Sequence, residues 1–168
     1  MKKTPRARGL PRIPALALGL ALALSGCASQ RPMAAFATDG CSMFPDGALI
    51  GKADWCSCCV AHDLAYWQGG TSSERLKADQ DLRNCVRAAT SDPALADTML
   101  AGVRLGGGPY FPTSYRWGYG WSWGRGYGPL SAEEQAQAAQ LRTRYMAENP
   151  NLSCHGTAGT YSDTHAGR

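Results

Sequence analysis

The sequence predicts an all-α domain, built on an antiparallel helix pair with two further helices and a Gly/aromatic-rich segment, and stapled by disulfides. Three observations predict it. Helical periodicity marks two segments, and recognisable start and stop signals bound two more. Of seven cysteines, six follow the N-terminal leader, an even set that in an exported chain reads as three bridges. No internal repeat, second domain or alternating βαβ pattern competes with the helical one.

The leader comes first. MKKTPRARGLPRI is basic with no acidic residue, and PALALGLALALSG is an apolar run too short to remain as a membrane span. Leu24-Ser-Gly-Cys27 closes it and resembles a bacterial lipobox. Residues 1–26 are therefore expected to be a signal peptide, cleaved before a lipidated Cys27. Ala28, rather than Asp, favours the outer membrane as the destination, so the expected address is the cell envelope. The plainer reading is an ordinary cleaved signal peptide with a stray cysteine. Five of the 17 Lys and Arg residues lie in the leader, which leaves 12 against 13 Asp and Glu. The formal charge of +4 thus becomes −1, and the basic balance is no argument for nucleic-acid binding. About 142 residues remain, enough for one domain with a modest core.

Residues 27–37 read as a tether, short and low in large apolar side chains. Thr38 to Lys52, TDGCSMFPDGALIGK, is loop chemistry, with Asp-Gly and Pro-Asp-Gly turn signals. From Asp54 to Gln68 a helix is predicted, with Val60, Leu64 and Trp67 at i, i+4, i+7 and Gly69-Gly70 as its stop. Thr71-Ser-Ser-Glu74 is a capping box that opens a second helix, running to about Ala89. Its apolar stripe is Leu76, Leu82, Cys85, Val86 and Ala89. A Gly-Gly turn so short makes the two helices antiparallel. Asp92-Pro93 begins a third helix that ends before Gly106, and Ser131-Ala-Glu-Glu134 begins a fourth over 131–148. The domain is expected over 38–154, its core over 38–90, with 155–168 as a loose tail.

Residues 106–128 differ. They hold eight glycines and eight aromatics, a mixture that suits neither a helix nor an ordinary loop. Trp117, Tyr119, Trp121 and Trp123 would share one face if the piece were extended. Two readings stand: an aromatic flap laid over the helices, or an edge that seeks a membrane interface.

The chemistry concentrates in CCVAHDLAYW, Cys58 to Trp67. His62 and Tyr66, at i and i+4, stack on one face, whereas Asp63 points about 100° away. Asp79 falls within the second helix's apolar stripe, where a carboxylate is costly unless it is hydrogen-bonded. His62 and Tyr66 are suitable donors, and Asp81 is the alternative acceptor off that stripe. This predicts a dyad across the helix pair, with Asp79 orienting His62. Asp63 is then free to join Asp39, and two carboxylates with loop carbonyls and water make a hard-oxygen site suited to Ca²⁺.

CCVAHDLAY resembles the active-site helix of the secreted phospholipases A2, Cys-Cys-x-x-His-Asp-x-x-Tyr. The resemblance implies His62 as catalytic base, Asp63 as a calcium-binding carboxylate and Tyr66 as the tyrosine bonded to the dyad aspartate. Asp79, six residues before Cys85, keeps the spacing of that aspartate in the animal enzymes. The family pattern also implies the disulfides Cys58–Cys85 and Cys41–Cys59. Its animal calcium loop is absent, and TDGCSMFPDG instead resembles the microbial branch, implying Asp39 and the Gly40 carbonyl as ligands. The resemblance covers about residues 38–86. Cys56 lies outside the pattern and is left with Cys154.

What this implies is a calcium-dependent hydrolase of the sn-2 ester of phospholipids, acting at a membrane surface and held there by its N-terminal lipid. The N–H of Gly40 is a candidate oxyanion donor. Whether an inhibitor or regulatory partner restrains it is open. Three rivals stand beside this expectation. Trp55-Cys56-Ser57-Cys58-Cys59 contains the thioredoxin-like W-C-x-x-C, but no preceding strand or βαβ setting. Cys56, Cys58, Cys59 and His62 could ligate Zn²⁺, at odds with an oxidising compartment. A non-catalytic calcium- and lipid-binding envelope lipoprotein would keep much of the same residue set.

Overall fold

In the computed structural model, residues 32–48 and 54–150 are described. The leader, Cys27, Cys154 and the tail 155–168 lie outside them. The described elements are α1 (Cys56–Gln68), α2 (Ser72–Thr90), α3 (Pro93–Gly106) and α4 (Ala132–Glu148), with a single isolated bridge between Gly47 and Asp54. Among the described residues no helix is long and apolar enough to cross a membrane.

Each helix begins where its capping residues place it. Thr71 and Ser131 each accept from a backbone N–H three residues on, while Glu74 and Glu134 reach back to complete the boxes. Asp92 caps α3 with Pro93 at its first position. The hydrogen bond from Cys56 N to Asp54 Oδ1 (2.9 Å) serves the start of α1.

α1 and α2 run antiparallel. Cys58 bonds Cys85, His62 meets Asp79, and Tyr66 meets Arg75, so one helix ascends as the other descends. α3 packs on α2 in turn. One apolar cluster fills the space between these three helices and the loop before α1, with Cys58, Cys59, Leu82, Val86, Ala96 and Met99 at its centre. A second lies against α1, where Val60 and Trp67 meet Met33, Phe36, Trp121 and Ala138 of α4. α1 is therefore buried on both sides.

Three expectations are corrected. The buried row of α2 is Arg75, Ala78, Asp79, Leu82 and Val86, whereas Leu76 is 43% exposed and Cys85 and Ala89 are exposed as well. An apolar-only stripe passes over Arg75, which is buried because Tyr66, Tyr127 and the carbonyls of Val103 and Arg104 satisfy it. The expected tether is packed chain in its described part: Met33 and Phe36 are buried, and Phe36 makes edge contacts with Trp67 and Tyr145. The Gly/aromatic segment is not extended. It is a succession of turns that buries Trp117 and Trp121 in different clusters and leaves Trp123 59% exposed.

Those turns answer a backbone need. The last four carbonyls of a helix lack intrahelical partners. In α1, Ala65 O receives Gly69 N, Tyr66 O receives Gly118 N, Trp67 O receives Gly120 N, and Gln68 O receives Trp121 Nε1. The segment is thus the C-terminal cap of the helix that carries His62 and Asp63. Buried Arg116 holds its shape by donating to the carbonyls of Gly118 and Trp121.

Candidate active site

Four-residue spacing sorts the crowded side chains of α1. Cys58, His62 and Tyr66 look toward α2, and Cys59 and Asp63 toward the preceding loop. The adjacent cysteines accordingly reach different partners, in Cys58–Cys85 and Cys41–Cys59. Each bridge fixes a support one turn before the residue it serves: α2 for His62, the loop for Asp63.

On the α2 side, His62 Nε2 lies 2.9 Å from Asp79 Oδ1, and the Tyr66 hydroxyl donates to the same oxygen at 2.7 Å. Asp79 has no exposed surface. Burial alone would raise its pKa, but hydrogen bonds from His62, Tyr66 and Arg104 outweigh this and hold the carboxyl below its ordinary value. An ionised acceptor at Oδ1 puts the ring proton of His62 on Nε2 and the lone pair on Nδ1. Nδ1 has no hydrogen-bond partner among the described residues, and His62 lines a cavity. The Tyr66 hydroxyl is pushed up by burial and by the Asp79 charge, which keeps it a donor. The alternative acceptor, Asp81, is instead exposed and bonded to Lys77.

On the loop side, the Thr38 hydroxyl donates to Asp63 Oδ2 at 2.6 Å, and Ser42 donates to Asp39 Oδ1 at 2.8 Å. Asp63 is buried, and no Lys, Arg or His among the described residues pairs with it. Burial, opposed by the Thr38 bond and reinforced by the Asp39 charge, pushes its carboxyl up to about 7. Gly40 turns the loop with φ +79°, and a Cβ there would collide with the Asp46 carboxylate. The N–H of Gly40 donates to Thr38 Oγ1 at 3.1 Å. The expected oxyanion donor is therefore engaged within its own loop.

Asp39, Gly40, His62, Asp63 and Tyr66 line one cavity of about 530 Å³. Its remaining wall is largely apolar, with Phe44, Leu82, Met99, Val103 and Tyr115. Met43 (90% exposed), Leu105 (82%) and Phe111 (44%) stand at its opening.

Among the described residues no three His, Cys, Asp or Glu side chains form a metal-binding group. The donors for a cation would be Asp39, Asp63, the Gly40 carbonyl and water, a hard-oxygen set of the kind Ca²⁺ accepts.

The rival site chemistries fare differently. Cys59 bonds Cys41, so the two cysteines of W-C-x-x-C are not bonded to each other, and every described cysteine is in a disulfide. That leaves no thiolate there for Zn²⁺. Cys56 is disulfide-bonded, and its expected partner Cys154 lies outside the described residues.

Sequence reasoning missed two arginines. Arg104 NH1 donates to Asp79 Oδ2 at 2.6 Å. Buried Arg75 donates through Nε to the Tyr66 hydroxyl (3.0 Å), and its other nitrogens reach Tyr127 and the carbonyls of Val103 and Arg104. The available signal was Arg75 at i−4 from Asp79, on the same helix face. Compared with protein-family models, with curated protein sequences and with solved structures, the chain gives no match.

Proposed function

We propose that this chain is a calcium-dependent, phospholipase A2-like hydrolase that cleaves the sn-2 ester of phospholipids at a membrane surface. One conjunction supports the reading: a histidine oriented by a buried carboxylate opens onto the same apolar cavity as the carboxylates of Asp39 and Asp63. The lipobox ending at Cys27 supplies the expected anchor in the cell envelope. The exposed apolar side chains at the cavity mouth suit a surface that presents acyl chains.

In this reading Nδ1 of His62 takes a proton from water as the water oxygen attacks the ester carbonyl. Asp79 remains ionised and holds the imidazolium that forms, and Tyr66 keeps Asp79 turned toward it. The imidazolium then gives its proton to the departing lysophospholipid oxygen, releasing the fatty acid and restoring neutral His62. Asp39, Asp63 and the Gly40 carbonyl would hold Ca²⁺, which when bound supplies electrophilic stabilisation of the carbonyl and of the lipid phosphate. The cavity wall accommodates apolar chain and excludes water around the ester.

The test is fatty-acid release from mixed phospholipid vesicles, with calcium and with chelator, for the parent and His62→Gln. Release that needs both calcium and His62 supports the proposal. Vesicle binding without release in the parent assigns the cavity to lipid binding instead.

A further inference from the structure

Asp79 carries two oxygens, and their partners are divided. Oδ1 receives both His62 and Tyr66 from α1. Oδ2 receives Arg104 from the last turn of α3 at 2.6 Å, while Arg75 Nε stands at 3.8 Å with its N–H given to Tyr66. Arg104 is thus the only direct hydrogen-bond donor to Oδ2 among the described residues. Its side chain is 40% exposed, yet it reaches inward to a carboxylate with no exposure. The terminal torsion of an aspartate is a broad rotor, so bonds to one oxygen alone leave the plane of the carboxylate poorly defined. A charge-assisted bond at the second oxygen defines it.

We propose that Arg104 is a positioning residue for the dyad: by holding Oδ2 of Asp79 it keeps Oδ1 turned to His62. The inference rests on the hydrolase reading for its catalytic consequence, but not for its structural one. Arg75 acts one step further back. Because the Tyr66 hydroxyl accepts from Arg75 Nε, its proton is directed at Asp79. Arg104 is the better test, since its side chain is partly exposed whereas Arg75 is buried.

The experiment uses the full chain with nitrogen-15-labelled histidine. The Nε2–H proton of His62 is assigned by its loss in His62→Gln, and its exchange with water is measured in Arg104→Gln and Arg104→Lys. Exchange should quicken about tenfold in Arg104→Gln and move back toward the parent rate in Arg104→Lys, which retains a cationic donor. Alongside, kcat for vesicle hydrolysis should fall about tenfold in Arg104→Gln while KM stays within about twofold. Unchanged N–H exchange in Arg104→Gln overturns the proposal, whether or not kcat moves. A parent chain that releases no fatty acid removes the hydrolase reading, and the exchange comparison still decides the role of Arg104.

Discussion

His62 Nε2 sits 2.9 Å from Asp79 Oδ1, and the aspartate is wholly buried between α1, α2 and α3. A carboxylate in that position survives only because donors from α1 and α3 meet it. Replacing it isosterically separates shape from charge. Asp79→Asn leaves Arg104 and Arg75 facing a neutral amide whose N–H₂ competes for the same space. Loss of one partner from a buried ion pair costs about 3 kcal/mol or more, and the expected drop in hydrolysis is about 10⁴-fold. Urea unfolding and vesicle hydrolysis measure the two effects. Because the folded pKa of Asp79 is depressed, its stabilising contribution is present above its ordinary value of 3.8 and is lost as pH falls below it.

Asp63 has the opposite sign. Its carboxyl goes from an ordinary 3.8 to about 7 on burial, so between these values the folded chain binds more protons than the unfolded one. Stability therefore falls as pH rises through this window, by about 4 kcal/mol for a shift of this size. In chelator, the chain should unfold at lower urea at pH 8 than at pH 5, and Asp63→Asn should flatten that slope. Calcium should restore stability at pH 8 more than at pH 5, since cation and proton compete for one carboxylate. Equal stabilisation at both pH values would remove Asp63 from the cation site.

The two bridges of α1 should fail separately. Cys58–Cys85 closes 27 residues of chain and clamps the helix pair beneath His62; Cys41–Cys59 closes 18 and pins the loop beside Asp63. Paired Cys→Ala replacement of either should cost about 3 kcal/mol. Calcium affinity, followed by titration calorimetry, should fall more in the Cys41/Cys59 variant. The His62 ring N–H should exchange faster in the Cys58/Cys85 variant.

At the cavity mouth, Met43 and Leu105 are exposed yet belong to the cavity wall. If they enter a lipid surface, truncation to Ser removes about 1.5 kcal/mol or more of apolar burial each, about tenfold in partition. Met43→Ser and Leu105→Ser should slow hydrolysis of vesicles by that factor. Hydrolysis of a short-chain, monomeric phospholipid should fall by less than this, because it needs no entry into a lipid surface.

Much of this arrangement was legible in the residues, for local reasons. Capping boxes at Thr71 and Ser131 and Pro93 at the first turn of α3 are written in neighbouring positions, and each marks its helix start. Four-residue spacing and the cost of burying Asp79 were enough to bring it to His62 and Tyr66. The buried face of α2 was not legible in the same way. An apolar-only stripe selects Leu76, whereas the chain buries Arg75 because Tyr66, Tyr127 and the end of α3 together satisfy it. Those partners come from three distant segments. Nor could alternation from Trp117 to Trp123 reveal turns whose purpose is to cap α1, since the carbonyls they serve lie some fifty residues earlier.

The glycines that close α3 provide the sharpest separation of packing from chemistry. Gly107 lies directly against Tyr66: an added Cβ would stand 2.5 Å from its Cε1 and 2.6 Å from its hydroxyl, with the Val103 carbonyl at 2.7 Å on another side. Tyr66 is closed in by His62, Trp117 and Arg75, so it can yield only by drawing its hydroxyl away from Asp79. Gly107→Ala is expected to cost about 1–3 kcal/mol through overpacking and to reduce hydrolysis beyond what the lost stability explains. Gly106 is the internal control, since a Cβ there meets nothing within 4 Å. Gly106→Ala, at the end of α3, should leave stability and activity near those of the parent. Urea unfolding and vesicle hydrolysis of the two variants, measured together, check this; equal behaviour would mean that the Tyr66 hydroxyl has room to move without consequence.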